Sequence, residues 1–158
     1  MRWSSSRHYK REKWCMNPPE RFPPDDPREW LNRAKSSFAM AKNRVPDAYL
    51  EDLCFGAQQA AEKAIKAVMI SRNIDFPYVH DLALLLSILE KDGENVPDEV
   101  RRATILTPYA VDIRYPSIEQ PVSEQDYRDA IEIAEAVIQW ATDRLSPELG
   151  NSQPDKGL

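Results

Sequence analysis

An all-α fold, an antiparallel up-and-down helical bundle of four to five helices, is what this sequence predicts, on three observations. Apolar residues recur at helical spacing through the middle of the chain, and no strand-like alternation of useful length appears. Prolines and capping residues cut that pattern into segments of ordinary helix length joined by short connections. Only 4 glycines are present, which argues against a turn-dense β-sandwich and against a glycine-rich phosphate loop.

The first helix begins at Asp26, an N-cap followed by Pro27 at the first helical position. Trp30, Leu31, Ala34, Phe38 and Ala41 make its apolar stripe, which ends before Pro46. Asp47 can cap a longer second helix running to about residue 72. Leu50, Leu53, Cys54, Ala57, Ala61, Ala64, Ile65 and Val68 line one broad face of it, opposite Glu51, Gln58, Gln59, Glu62, Lys63 and Lys66. Gly56 inside this helix costs about 1 kcal/mol relative to alanine, which points to a close helix approach within the bundle or across a dimer. After a loop over 73–78, a third helix carries Leu82, Leu85, Leu86 and Leu89 and stops near Gly93. Pro97 opens a fourth, which Pro108 divides into two pieces around Thr107. Pro116 halts that element, and 118–122 read as a loop. Ser123 with Asp126 is a variant capping box that starts the last helix, whose inward residues are Tyr127, Ala130, Ile131, Ala134, Val137, Ile138, Ala141 and Leu145. The expected core includes Leu53, Ala61, Ile65, Leu85, Leu86, Ile131 and Ile138.

The bundle is expected over 26–146, between a leader at 1–25 and a disordered tail at 147–158. Arg2, Arg7, Lys10, Arg11 and Lys13 against Glu12 give residues 1–16 a charge of +4, so a total of −5 leaves −9 on the rest. No apolar region follows, so the segment is not a signal peptide. It reads as a nucleic-acid-touching arm or as a disordered leader ahead of a start at Met16, and the second is preferred. Pro18, Pro19, Pro23 and Pro24 then rule out a helix there, and Pro147, Gly150 and Pro154 break up the tail.

At 158 residues, 42% hydrophobic and 30% charged, the chain suits one globular domain. The longest apolar run, around Leu82 to Leu89, is too short to span a bilayer. Cys15 and Cys54 cannot make a disulfide scaffold, and with two histidines they argue against a metal centre, so no metal and no cofactor is expected. A cytoplasmic protein fits this composition. No Walker loop, His-Glu-x-x-His or Cys-x-x-Cys motif is present, and no serine lies in a nucleophile-elbow context that His80 could serve. What stands out is Tyr109-Ala110-Val111-Asp112-Ile113-Arg114-Tyr115-Pro116, a polar and aromatic cluster just past a proline kink.

Three signatures in order carry a resemblance: Phe55-Gly56-Ala57-Gln58-Gln59-Ala60-Ala61-Glu62-Lys63-Ala64-Ile65-Lys66-Ala67, then His80-Asp81-Leu82, then Asp112-Ile113-Arg114-Tyr115-Pro116. Together they resemble the HEPN domain family (higher eukaryotes and prokaryotes nucleotide-binding). The resemblance covers 27–145 and implies a homodimeric helical bundle. It also implies pairing with a small nucleotidyltransferase, often as a toxin–antitoxin couple. Many members are metal-independent ribonucleases that use an arginine and, after four to six intervening residues, a histidine. An Arg fork neutralises the scissile phosphate, and a histidine of near-neutral pKa moves the 2′-hydroxyl proton.

By position Arg114 matches the motif's arginine, but 119–121 hold Glu119, Gln120 and Pro121 where its histidine belongs. A carboxylate beside a phosphodiester is repelled unless a metal intervenes. The expectation is therefore a member that binds nucleotide or RNA phosphate through Arg114, Tyr115, Asp112 and Lys63 rather than one that cleaves. The alternative is a ribonuclease toxin with Arg114 as anchor and His80 as an atypical base; a structural helical adaptor is a weaker third reading. Each residue also has a plain role. Arg114 can bond helix-end carbonyls or pair with Asp112, Tyr115 can pack the helix end, and His80 can make a local hydrogen bond. Gln58, Gln59, Glu62, Lys63 and Lys66 read as a solvated face, with a polar wall of the site as the functional alternative.

Overall fold

The computed structural model describes residues 19–111 and 121–150, with side chains through 146. The described residues are helical, with no strand, in the order α1 (Pro27–Ala41), α2 (Leu50–Ser71), α3 (Leu82–Lys91), α4 (Asp98–Arg101), a 3-10 turn (Arg102–Leu106), α5 (Thr107–Val111) and α6 (Glu124–Gly150). None of these helices is long and apolar enough to cross a membrane.

Local chemistry accounts for most boundaries. The Asp26 carboxylate accepts from the Arg28 N–H and caps α1, as its sequence indicates. Asp81 likewise caps α3 through the Leu84 N–H. Ser123 and Asp126 form the complete reciprocal box: the Asp126 N–H donates to Ser123 Oγ and the Ser123 N–H to Asp126 Oδ2, both at 3.0 Å. Asp47 does not cap α2. That helix starts three residues later at Leu50, from Tyr49 with no side-chain cap, and Glu51 and Asp52 in its first turn face the positive helix end instead. Pro108 has no N–H to give Thr104, so the chain tightens into the 3-10 turn and resumes as α5, where proline fits the first turn.

Two helix ends share one device. After α2, Asn73 takes φ 55°, the Ile74 N–H returns to Met69 O at 2.9 Å and the Asn73 N–H to Ile70 O at 3.0 Å. After α3, Gly93 takes φ 95°, with the Glu94 N–H on Leu89 O and the Gly93 N–H on Glu90 O, both at 3.0 Å. These are Schellman endings, with asparagine doing at α2 what glycine does at α3.

α2 is the central helix, packed most extensively against α1 and α6. Tyr127 Oη donates to Ala41 O at 2.8 Å and Arg44 grips Glu124 at 2.7 Å, so α6 starts where α1 ends and runs antiparallel to it. At the opposite end the buried Glu94 takes Arg72 at 2.7 Å and Arg144 at 2.9 Å, clasping α2, the α3–α4 turn and α6. Gly56 is where α1 and α2 approach within the bundle: a Cβ there would sit 3.1 Å from Ala41 Cβ. The core holds the expected Leu53, Ala61, Ile65, Leu85, Leu86 and Ile138, each large aliphatic side chain contributing about 1.5–3 kcal/mol. Ile131 is only partly buried; Ile133 takes its place in the core, with Trp140 beside the expected residues. The last helix continues past Pro147 to Gly150, beyond the end suggested by the sequence. The leader to residue 18 and the tail after 150 lie outside the described residues.

Candidate functional site

The Schellman ending of α2 turns the chain back on itself, and residues 74–80 return alongside that helix. Ile74, Phe76 and Val79 pack partly into the core and fix the return. His80 is thereby delivered to the side of α2 at the level of Gln58 and Glu62, immediately before α3 begins.

Gln58, Glu62 and Lys66 follow one another at four-residue spacing and make one line along α2. Their expected solvent exposure is wrong: Gln58 is 0% exposed, Glu62 4% and Lys66 6%. The returning segment and α1 cover them, and burial of charge then demands partners. Glu62 supplies those contacts. Its Oε1 accepts from Lys66 Nζ at 2.7 Å, and its Oε2 from Gln58 Nε2 at 2.8 Å and from His80 Nδ1 at 2.9 Å. Gln59 Nε2 extends the chain to Gln58 Oε1 at 2.8 Å. Lys66 is enclosed further by aromatic faces, with its Nζ 5.1 Å from the Phe76 ring centroid and 5.9 Å from that of Trp30. Those two rings meet edge to face at 5.5 Å and 77°.

Burial alone would push the Glu62 carboxyl up, but hydrogen bonds from Lys66, His80 and Gln58 outweigh it and hold the group below the usual glutamate range. An ionised Glu62 can only accept, so the His80 nitrogen facing it carries the proton. Nε2 is then the nitrogen turned away from Glu62, on a side chain 54% exposed. A buried carboxylate fixing the tautomer of an open imidazole is an arrangement that can take a proton or, once protonated, hold an anion.

Lys63, one of the expected binding residues, turns away from this line toward α1, where its Nζ donates to Ser37 Oγ at 2.8 Å. Asp112, Arg114 and Tyr115 lie outside the described residues, which stop at Val111 and resume at Pro121. The Val122 N–H beyond that gap donates to Glu51 Oε1 at 3.0 Å, near the start of α2. Tyr109, from the same sequence cluster, packs beside Cys54, and burial pushes both groups up to about 12. Cys54 is thus a buried thiol rather than a nucleophile. Among the described residues no group of three His, Cys, Asp or Glu side chains is placed to hold a metal ion.

Sequence reasoning named His80 but missed Glu62 as the group that orients it. The available signal was the Gln58, Glu62, Lys66 spacing, which is also the spacing of an ordinary exposed ion pair.

Comparison with known proteins agrees with the architecture. The HEPN domain family model matches residues 27–145. TT1696 from Thermus thermophilus is similar in fold, with a TM-score of 0.63 at 24% identity, over 75% of this chain and 98% of that one. ST0689, an archaeal HEPN homologue, gives a TM-score of 0.61 at 25% identity, over 76% of this chain and 98% of its own. No curated protein matches. With three quarters of its length matched by the family model and the same helical fold in these two structures, the chain belongs to the HEPN domain family.

Proposed function

We propose that this HEPN domain binds the phosphate of a nucleotide or of RNA, with Arg114 as the fork and His80 as a second contact. The observation that carries the reading is the Glu62–His80 contact at 2.9 Å, because a buried carboxylate has been spent on holding an exposed ring nitrogen outward. Asp112 and Tyr115 complete the set on the sequence reading, and the domain acts as a homodimer beside a small nucleotidyltransferase in a toxin–antitoxin-like pair.

The test is fluorescence anisotropy with a labelled oligoribonucleotide. Arg114→Ala and His80→Ala are each expected to weaken binding by about tenfold, the size of one lost charge-assisted hydrogen bond. Unchanged affinity in both would refute the reading. The partnership is tested separately by size-exclusion chromatography with the nucleotidyltransferase encoded nearest in the genome. A concentration-independent monomer of 18.2 kDa would refute the homodimer.

The same contact favours one second reading. An imidazole whose Nδ1–H is held by a carboxylate is equipped as a general base, so metal-independent RNA cleavage with Arg114 as anchor and His80 as base is the alternative. EDTA-resistant cleavage of mixed RNA, lost in both variants, would establish it over simple binding.

A further inference from the structure

Two lysines three residues apart on α2 receive opposite treatment. Lys66 has a carboxylate at 2.7 Å and two aromatic faces. Lys63 is half-buried, yet among the described residues no carboxylate comes within ion-pair distance of it. Its hydrogen-bond partner is the Ser37 hydroxyl at 2.8 Å. Glu62, whose charge reaches Lys63, and Glu29, the partner of Arg33, are already committed. Glu62 serves Lys66, His80 and Gln58. Glu29, itself buried, serves Arg33 Nε at 3.0 Å and the Phe22 N–H at 3.2 Å.

Arg33, one turn before Ser37 on α1, brings a second positive charge to the same place. Burial pushes the Lys63 ammonium down, and repulsion from Arg33 adds to it, with Glu62 opposing. Arg33 spends its Nε on Glu29, which leaves the outer guanidinium nitrogens as donors. Ser37 Oγ accepts from Lys63, so its own hydroxyl hydrogen can still donate, and Lys63 Nζ keeps two hydrogens. Lys63 and Ser37 thus meet across two helices, and Arg33, four residues from Ser37 on α1, is close enough for its charge to oppose that of Lys63, with donors in excess of acceptors.

We propose that Arg33 and Ser37 of α1 and Lys63 of α2 form a cradle for a phosphoryl anion on the α1–α2 seam. Donors approaching from three side chains suit a tetrahedral, multiply charged group better than a planar carboxylate, which one arginine fork would satisfy. The proposal deepens the phosphate-binding reading above, on which it rests, by giving that ligand a second subsite apart from Arg114.

The experiment titrates the full chain with inorganic phosphate, adenosine 5′-monophosphate and acetate, following the Lys63 side chain by ¹³C NMR and the affinities by calorimetry. Phosphate and the nucleotide should both shift the Lys63 signals and raise its depressed pKa, while acetate leaves them in place. Lys63→Met and Arg33→Gln should each weaken phosphate about tenfold, Ser37→Ala by less, and Lys35→Met, an exposed charge on α1, not at all. The wild-type NMR titration needs no variant to fold: Lys63 signals unmoved at saturating phosphate overturn the cradle. Arg114→Ala separates the two claims. Nucleotide affinity lost there but intact in Lys63→Met overturns the cradle and leaves the Arg114 reading standing. The reverse pattern supports the cradle and removes Arg114 as the fork. A response to the nucleotide and none to inorganic phosphate overturns the proposal as well, because the cradle is for the phosphoryl group itself.

Discussion

Replacing Glu62 by alanine removes the counterion of an ammonium group that has almost no access to water. Lys66 is 6% exposed and 2.7 Å from Glu62, so the substitution strands its charge among Trp30, Phe76 and the body of α2. Breaking a buried pair from one side costs about 3–5 kcal/mol. The two aromatic faces remain and return about 0.5–2 kcal/mol of that, while Gln58 and His80 lose their shared acceptor. A net loss of about 3 kcal/mol is expected, a large share of the roughly 5–15 kcal/mol that holds a domain together. Urea unfolding followed by circular dichroism at neutral pH measures it. Adding Lys66→Met removes the stranded charge, so the double variant should recover to within about 1 kcal/mol of wild type. A single-variant cost below about 1 kcal/mol, or a double variant less stable than Glu62→Ala, would refute the assignment of Glu62 as the centre of this network.

Three further outcomes follow from the same contacts. The Glu62 carboxyl sits below its ordinary value of 4.5, so its stabilisation is complete above that pH and is lost as pH falls through the lower folded value. Acid unfolding should therefore be shallower in Glu62→Gln than in wild type over that window. Ser123→Ala breaks the α6 box and should cost about 1 kcal/mol in urea unfolding; no loss would mean that the cap carries nothing. Gly56→Ala gains about 1 kcal/mol of helix propensity but pushes a methyl to 3.1 Å from Ala41 Cβ, so its effect should be more favourable in an Ala41→Gly background than in wild type. Additive effects in that pair would contradict the close approach.

The elements most legible in the sequence were those decided by neighbours in the chain. Asp26-Pro27, Gly93 and the Ser123–Asp126 pair set helix ends by contacts within a few residues, and all three act as their chemistry requires. Asp47 failed because the helix started later than the first available cap, a choice among local options that packing of Leu50 and Leu53 decides. The Gln58–Glu62–Lys66 line was illegible for a deeper reason. A Glu–Lys pair at four-residue spacing reads the same in water or under a covering segment, and what covers it here is the return of residues 74–80 after the Asn73 turn. Ile131 and Ile133 changed places because α6 meets both α1 and α2, so its buried face is broader than a single stripe.

The functional reading stands on the state of one ring. Long-range ¹H–¹⁵N NMR of the His80 imidazole, with and without adenosine 5′-monophosphate, reports which nitrogen carries the proton and whether the other meets the ligand. The expected result is a proton on Nδ1 held by Glu62, with Nε2 shifting as nucleotide is added and the Nδ1 preference lost in Glu62→Gln. An unprotonated Nδ1 in the free protein, or ring signals unmoved at saturating nucleotide, would contradict the assignment of Glu62 and His80 as the positioning pair of a phosphate-binding site.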